Sequence, residues 1–216
     1  MKKTRILIAD DHDVIRRGLR PLIEAEWGWE ICAEAANGRE AVAMALKFRP
    51  DIVVLDVAMP EINGLEATRQ IRQALPETAV LVLTGQESET LAGQLLDAGA
   101  RGYLFKTHAG AQLIPAIKAL CRGETYFTPG VAEMVLASYL KGGRGAAQTA
   151  PGGLSPRERE IVQLLGEGKS NKEVGEALGI SIKTAETHRA NIMRKLGFKA
   201  FSELVRYAVR NHIVQP

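Results

Sequence analysis

Five short apolar runs, each followed by apolar residues at helical spacing, constrain the first half of this chain more than any other feature. Arg5–Ala9 reads as a strand, and Ile15, Leu19, Leu22 and Ile23 follow it at the spacing of one helix face. Trp29–Glu34 is a weaker strand, and Ala41, Val42, Ala45 and Leu46 mark the next helix. Ile52–Leu55 is apolar throughout and precedes Leu65, Thr68 and Ile71. Ala79–Leu83 precedes Leu91, Leu95 and Leu96, and Gly102–Phe105 precedes Leu113, Ile117 and Leu120. Continuous apolar strands alternating with amphipathic helices predict a five-stranded parallel sheet covered by helices on both faces.

The pattern stops at 141–153, which holds five glycines and one proline without apolar periodicity. Such a stretch cannot bury enough surface to fix its backbone and reads as a flexible linker. Beyond it come four helical segments, about 156–166, 171–178, 182–196 and 200–211, with Ser170 or Asn171 and Ser181 placed to cap two of them. Charge divides at the same place. Residues 1–140 carry 15 Lys and Arg against 18 Asp and Glu, net −3, and residues 141–216 carry 13 against 7, net +6. A basic half of this kind points to a polyanion, although many basic faces are merely solvated. No stretch approaches the roughly 18 apolar residues of a membrane span, and the run behind Met1-Lys2-Lys3 is too short for a signal peptide. Cys32 and Cys121 form no ligand or redox motif and are expected to be buried in a reducing cytosol.

In parallel α/β sheets, ligands bind at the carboxyl ends of the strands, where strand order reverses. The first strand ends in Asp10-Asp11, the third in Asp56, the fourth in Thr84 and the fifth in Lys106. If the order is 2-1-3-4-5, the three carboxylates share one cleft with a hydroxyl and an ammonium. Carboxylates this close repel one another and call for a cation; Mg²⁺ suits such oxygens and keeps open positions for phosphate. Asp56 could then attack phosphorus to give an acyl phosphate, Lys106 would neutralise phosphoryl oxygens, and Thr84 would donate to the new group. Each residue also has a plainer reading. Asp10, Asp11 or Asp13 could cap the first helix, Thr84 could simply end a strand, and Lys106 could be solvated. Their joint placement at four strand ends is what those readings do not explain.

Asp10-Asp11, Asp56 with Met59-Pro60 and Gly64 behind it, Thr84, and Tyr103 three residues before Lys106 resemble the receiver domain of response regulators over residues 4–122. The resemblance implies a flavodoxin-like fold with Asp56 as phosphoacceptor. It implies Mg²⁺ held by Asp11, Asp56 and the backbone carbonyl of Ala58, with Asp10 helping through water. It also implies a switch in which Thr84 moves toward the phosphoryl group and Tyr103 follows inward. The donor would be a phosphohistidine on a sensor histidine kinase. Thr107 stands where receivers commonly have proline, and Ala58 and Gln86 lie where receivers tune dephosphorylation. A phosphatase of the haloacid dehalogenase type would need a second Asp at position 58, so no enzyme is expected.

In the basic half, a short helix at 170–178, a tight turn at Gly179-Ile180-Ser181 and a longer helix fit a helix-turn-helix. Ala185, His188, Ile192 and Leu196 form the inward stripe of the second helix, and Lys183, Glu186, Thr187, Ala190 and Arg194 the outward one. Glu186 could accept from a cytosine amino group, Thr187 could bond or touch a thymine methyl, and Ala190 permits close approach. Lys183, Arg189, Arg194, Lys195 and Lys199 could reach phosphates, with one or two of the five expected to remain solvated.

Leu154-Ser-Pro-Arg-Glu-Arg-Glu160, Ser170-Asn-Lys and Lys183–Gly197 resemble the LuxR-type DNA-binding domain, and joined to a receiver they are similar to the NarL/FixJ regulators. The resemblance implies a receiver at 1–140 with a trailing helix, a linker at 141–153 and an all-α helix-turn-helix domain at 154–216. It implies a cytoplasmic transcriptional regulator with duplex DNA and RNA polymerase as partners. Binding would be as a homodimer whose contact includes Leu204, Val205, Ala208 and Val209, although some of these must pack inside. An RNA-binding or protein-binding output, or a regulator indifferent to phosphorylation, are the alternatives.

Overall fold

The computed structural model describes residues 3–85, 87–140 and 153–214. Gln86 and the linker at 141–153, apart from Gly153, lie outside the described residues. The chain divides into two compact units, each built on its own hydrophobic core.

The first unit alternates strand and helix: β1 (Thr4–Ala9), α1 (Asp13–Glu24), β2 (Trp29–Ala35), α2 (Gly38–Phe48), β3 (Ile52–Asp56), α3 (Gly64–Ala74), β4 (Ala79–Thr84), α4 (Glu89–Asp97), β5 (Gly102–Phe105) and α5 (Ala109–Cys121). The strands are parallel in the order β2-β1-β3-β4-β5. β3 and β4 are buried along their whole length, which is why they contain no alternation to read. Ile6, Ile8, Val54 and Leu81 pack under α1 and α5 through Leu19, Ile23, Leu113 and Ile117, while α2, α3 and α4 follow one another on the remaining helical layer.

The sheet has six strands, not five. Tyr126–Phe127 forms β6, parallel to β5, and the Tyr126 N–H donates to Arg101 O at 2.9 Å. Two residues are too few for a period-2 signal. Helix α6 (Pro129–Leu140) follows and packs on α4, where Gly93 leaves room for Ser138. The cysteines depart from expectation: Cys32 is half-buried and Cys121 exposed. Cys121 closes α5 one residue beyond Leu120, off the inward stripe.

The second unit is all helical: α7 (Pro156–Gly166), α8 (Asn171–Leu178), α9 (Ile182–Lys195) and α10 (Phe201–Arg210). Ser155 and Ser170 open α7 and α8 with reciprocal capping boxes to Glu158 and Glu173, and Ser181 caps α9 by accepting from Thr184 N, satisfying amide groups no helical carbonyl can reach. The α8–α9 turn depends on two glycines. Gly179 takes φ +64, and a Cβ on Gly175 would lie 2.8 Å from Ile180 O. Ile161, Leu165, Val174, Ala185, Ile192, Leu204 and Ala208 form the core. Leu204 and Ala208 are therefore taken up inside, leaving Val205 and Val209 half-buried on α10.

Candidate functional site

The carboxyl ends of β1, β3, β4 and β5 carry the expected groups. Asp10 and Asp56 are each 1% exposed. Lys106, just past β5, places its ammonium 2.8 Å from Asp10 Oδ2 and 2.9 Å from Asp56 Oδ2. One carboxylate oxygen each from Asp10, Asp11 and Asp56, with a ring nitrogen of His12, lie within 4.8 Å of one another. Thr84 is buried at the end of β4, opposite Phe105. Tyr103 is wholly buried, edge-on to Phe105 with centroids 5.9 Å apart. An inward swing of Tyr103 therefore does not start from this arrangement.

Burial raises the Asp56 carboxyl above its ordinary value; Lys106 pulls it back, Asp10 adds to the rise, and the Ala58 N–H opposes it. Burial lowers the Lys106 ammonium, but Asp10 and Asp56 outweigh that and its value is raised. One ammonium thus faces more negative charge than it neutralises. Asp10 Oδ2 and both Asp56 carboxylate oxygens are buried without a well-formed hydrogen bond. An all-oxygen donor set with surplus charge suits a hard divalent cation. Burial pushes the Tyr103 phenol up to about 12, with the Thr84 hydroxyl acting in the opposite sense.

Which aspartates cap α1 is settled by the backbone. His12 occupies the N-cap position without a side-chain cap bond, and Asp13 pairs with Arg16 and Arg17, so Asp10 and Asp11 remain in the cleft. Two supporting residues, Arg16 and His12, were not read from the sequence as part of the site. Arg16 donates to Asp10 O at 2.7 Å and to Asp13 at 3.1 Å, bracing the β1 end. The His12 N–H donates to Asp10 Oδ1 at 2.9 Å. Gly64 approaches the phosphoacceptor backbone so closely that a Cβ there would lie 2.1 Å from Asp56 O. The signals available were adjacency for His12 and helical spacing from Asp13 for Arg16.

On α9, Lys183, Glu186, Thr187, Ala190 and Arg194 are all exposed, and Ala185 and Ile192 are buried. His188 is half-buried. Three of the five expected phosphate-reaching cations have partners within the domain: Arg189 stacks on the Phe201 ring at 4.6 Å, Lys195 pairs with Glu158 at 2.7 Å, and Arg194 donates to Asn191 on its own helix at 2.8 Å. Lys199 lies past the end of α9 and is exposed. Among the described residues, no helix is long and apolar enough to cross a membrane.

The family model for the response regulator receiver domain matches residues 6–118, and that for bacterial regulatory proteins of the luxR family matches residues 153–208. The chain belongs to the LuxR-type response regulators. This response regulator is 39% identical over 210 residues to the transcriptional regulatory protein LiaR of Bacillus subtilis (strain 168), covering 97% of this chain and 99% of LiaR. It is 36% identical over 216 residues to the oxygen regulatory protein NreC of Staphylococcus epidermidis, covering 98% and 99%. Its fold is similar to a LuxR-family two-component response regulator from Aurantimonas sp. SI85-9A1, with TM-score 0.60, 36% identity, 64% of this chain and 99% of that one. It is also similar to the response regulator ChrA of a heme-sensing two-component system, with TM-score 0.53, 31% identity, and 99% and 100% covered. The response regulator is thus a DNA-binding regulator of transcription in a two-component system, with a receiver followed by a helix-turn-helix domain.

Proposed function

We propose that Asp56 is the phosphoacceptor and that its phosphorylation controls dimerisation and promoter binding. The observation that supports this most directly is a nine-tenths-buried carboxylate at the end of β3 with Lys106 2.9 Å away. An Asp56 oxygen attacks the phosphorus of a phosphohistidine on a sensor histidine kinase; the P–N bond breaks and its electron pair returns to the imidazole. Lys106 neutralises phosphoryl oxygens, and Thr84 donates a hydrogen bond to the new group. Asp11, Asp56 and the Ala58 carbonyl would hold Mg²⁺, with Asp10 acting through water. Bound there, the ion would offset charge on the transferring phosphoryl group. The added charge biases Thr84 and Tyr103 toward a second packing at the β4–β5 edge.

On this reading residues 1–140 are the receiver with its trailing helix, 141–153 the linker and 154–216 the output domain. Helix α9 enters the major groove with Glu186, Thr187 and Ala190 toward base edges and Lys183, Arg189, Arg194, Lys195 and Lys199 toward phosphates. A homodimer links two half-sites in the cytoplasm, where RNA polymerase is the further partner. The chain acts as phosphoacceptor and DNA ligand, not as an enzyme on a separate substrate.

The test is incubation with Mg²⁺ and acetyl phosphate beside Asp56→Asn, reading a phosphoprotein gel shift and duplex-DNA affinity on the same samples. Modification of wild type alone, with tighter DNA binding, is the expected result. Modification without a change in DNA binding would sink the coupling.

A further inference from the structure

The acidic run at the end of β1 continues into His12, whose ring the phosphoryl-transfer chemistry does not use. We infer that His12 is a metal ligand that gives this pocket selectivity for divalent transition metals over Mg²⁺. The inference rests on the reading of the pocket as a cation site. His12 Nδ1 lies 2.7 Å from Asp11 Oδ1 and 3.2 Å from Asp10 Oδ1. With one oxygen each of Asp10, Asp11 and Asp56, a ring nitrogen of His12 falls within a cluster 4.8 Å across, so one ion can reach all four. Both Asp56 carboxylate oxygens, on a side chain 1% exposed, are buried without a well-formed hydrogen bond, and one of them belongs to this cluster.

The imidazole is available for this role. His12 stands at the N-cap of α1 without a side-chain cap bond, so the helix does not need its ring. Its backbone N–H is fixed on Asp10 Oδ1 at 2.9 Å, which holds the ring beside the carboxylates. The side chain is 64% exposed, so it can turn onto an ion without opening the core.

Mg²⁺ takes oxygen ligands, keeps its waters and gains little from an imidazole. Co²⁺, Ni²⁺ and Zn²⁺ accept imidazole readily, and they bind mixed nitrogen and oxygen sites more tightly than Mn²⁺ or Fe²⁺. An ion of that class gains a nitrogen donor here that Mg²⁺ leaves unused. It would also hold one more protein ligand and leave one fewer position for a phosphoryl oxygen. Such ions would therefore compete with Mg²⁺ at the pocket and slow phosphorylation of Asp56.

Co²⁺ is the probe, because its visible absorption reports ligand type. The full chain is titrated with Co²⁺ and, by calorimetry, with Mg²⁺, as wild type, His12→Ala, His12→Asn and Asp56→Asn. Mg²⁺ is then added to displace Co²⁺. The expected result is that both His12 variants lose Co²⁺ affinity at the Mg²⁺-displaceable site by roughly tenfold or more, while Mg²⁺ affinity changes by less than about twofold. An unchanged ratio of Co²⁺ to Mg²⁺ affinity in both variants would overturn the role of His12 and leave the pocket as an ordinary Mg²⁺ site. Metal binding in wild type that is indifferent to Asp56→Asn would overturn the inference together with the cation site it rests on.

Discussion

The Lys195 ammonium lies 2.7 Å from Glu158 Oε2, tying the last turn of α9 to the first turn of α7. Glu158 Oε2 also accepts the Ser155 N–H at 2.7 Å, so one carboxylate closes a helix cap and anchors α9. Burial works against its ionisation, but Lys195 and Ser155 prevail and its pKa is lowered from 4.5. A depressed carboxylate contributes stability above its unfolded pKa and loses it as pH falls through the folded value. The thermal midpoint of wild type should therefore drop more than that of Glu158→Gln as pH is lowered below 4.5. Lys195 is 37% exposed, so solvent screening keeps the ion pair to about 0–1 kcal/mol. Parallel curves for the two proteins would show that the tie contributes nothing.

The same pairing separates the cations of α9 in DNA binding. Lys183→Ala should weaken binding to all sequences and reduce the salt slope by about one. Lys195→Ala should reduce it by less, since its charge is already opposed by Glu158. Glu186→Ala should leave the salt slope alone and relax preference at one base pair, costing about 1–3 kcal/mol on the specific site. Affinity measured against salt on specific and random duplexes distinguishes these outcomes. Equal loss on both duplexes after the Glu186 change would remove it from base readout.

Asp56 carries the opposite sign. Its pKa is raised from 3.8, chiefly by burial, so its contribution to stability is fully present below the unfolded value and lost as pH rises through the folded one. Above the folded value the ionised carboxylate is a liability. Asp56→Asn should melt at a higher temperature than wild type without divalent metal, and the gap should close as pH falls toward 3.8. Saturating Mg²⁺ should raise the wild-type midpoint more than that of the variant. A metal-free wild type more stable than Asp56→Asn at neutral pH would mean that Lys106 fully offsets the buried charge.

What the sequence disclosed follows from where its signals lie. Asp10, Asp56, Thr84 and Lys106 each end an apolar run, so the strand ends alone mark the pocket. The boundaries of α7, α8 and α9 were legible because serine caps and glycines mark them. Contacts between distant residues were not: nothing local in Lys195 announces Glu158, 37 positions away. Strand β6 is too short for periodicity, and Cys121 sits one residue past an apolar stripe whose phase alone decides burial. On α10, Leu204 and Ala208 could not be told from Val205 and Val209 without knowing which face met Ile192 in the core.

Gly64 provides a steric test of how the phosphoacceptor is held. Its N–H donates to Val57 O at 2.8 Å, and an added Cβ would lie 2.1 Å from Asp56 O and 2.7 Å from Val57 Cα. Both are backbone atoms, so no flexible side chain can yield; α3 or the end of β3 must shift. Gly64→Ala should destabilise the protein by about 1–3 kcal/mol, the range for overpacked sites, and slow acetyl-phosphate modification of Asp56 by moving it relative to Lys106. Gly18, within α1, has no atom within 4 Å of an added Cβ, so Gly18→Ala should instead stabilise by about 0.5–1 kcal/mol through helix propensity. Denaturant unfolding of both variants, with modification rates on the same preparations, checks the pair. A Gly64→Ala protein as stable and as readily modified as wild type would show that the backbone behind Asp56 tolerates displacement.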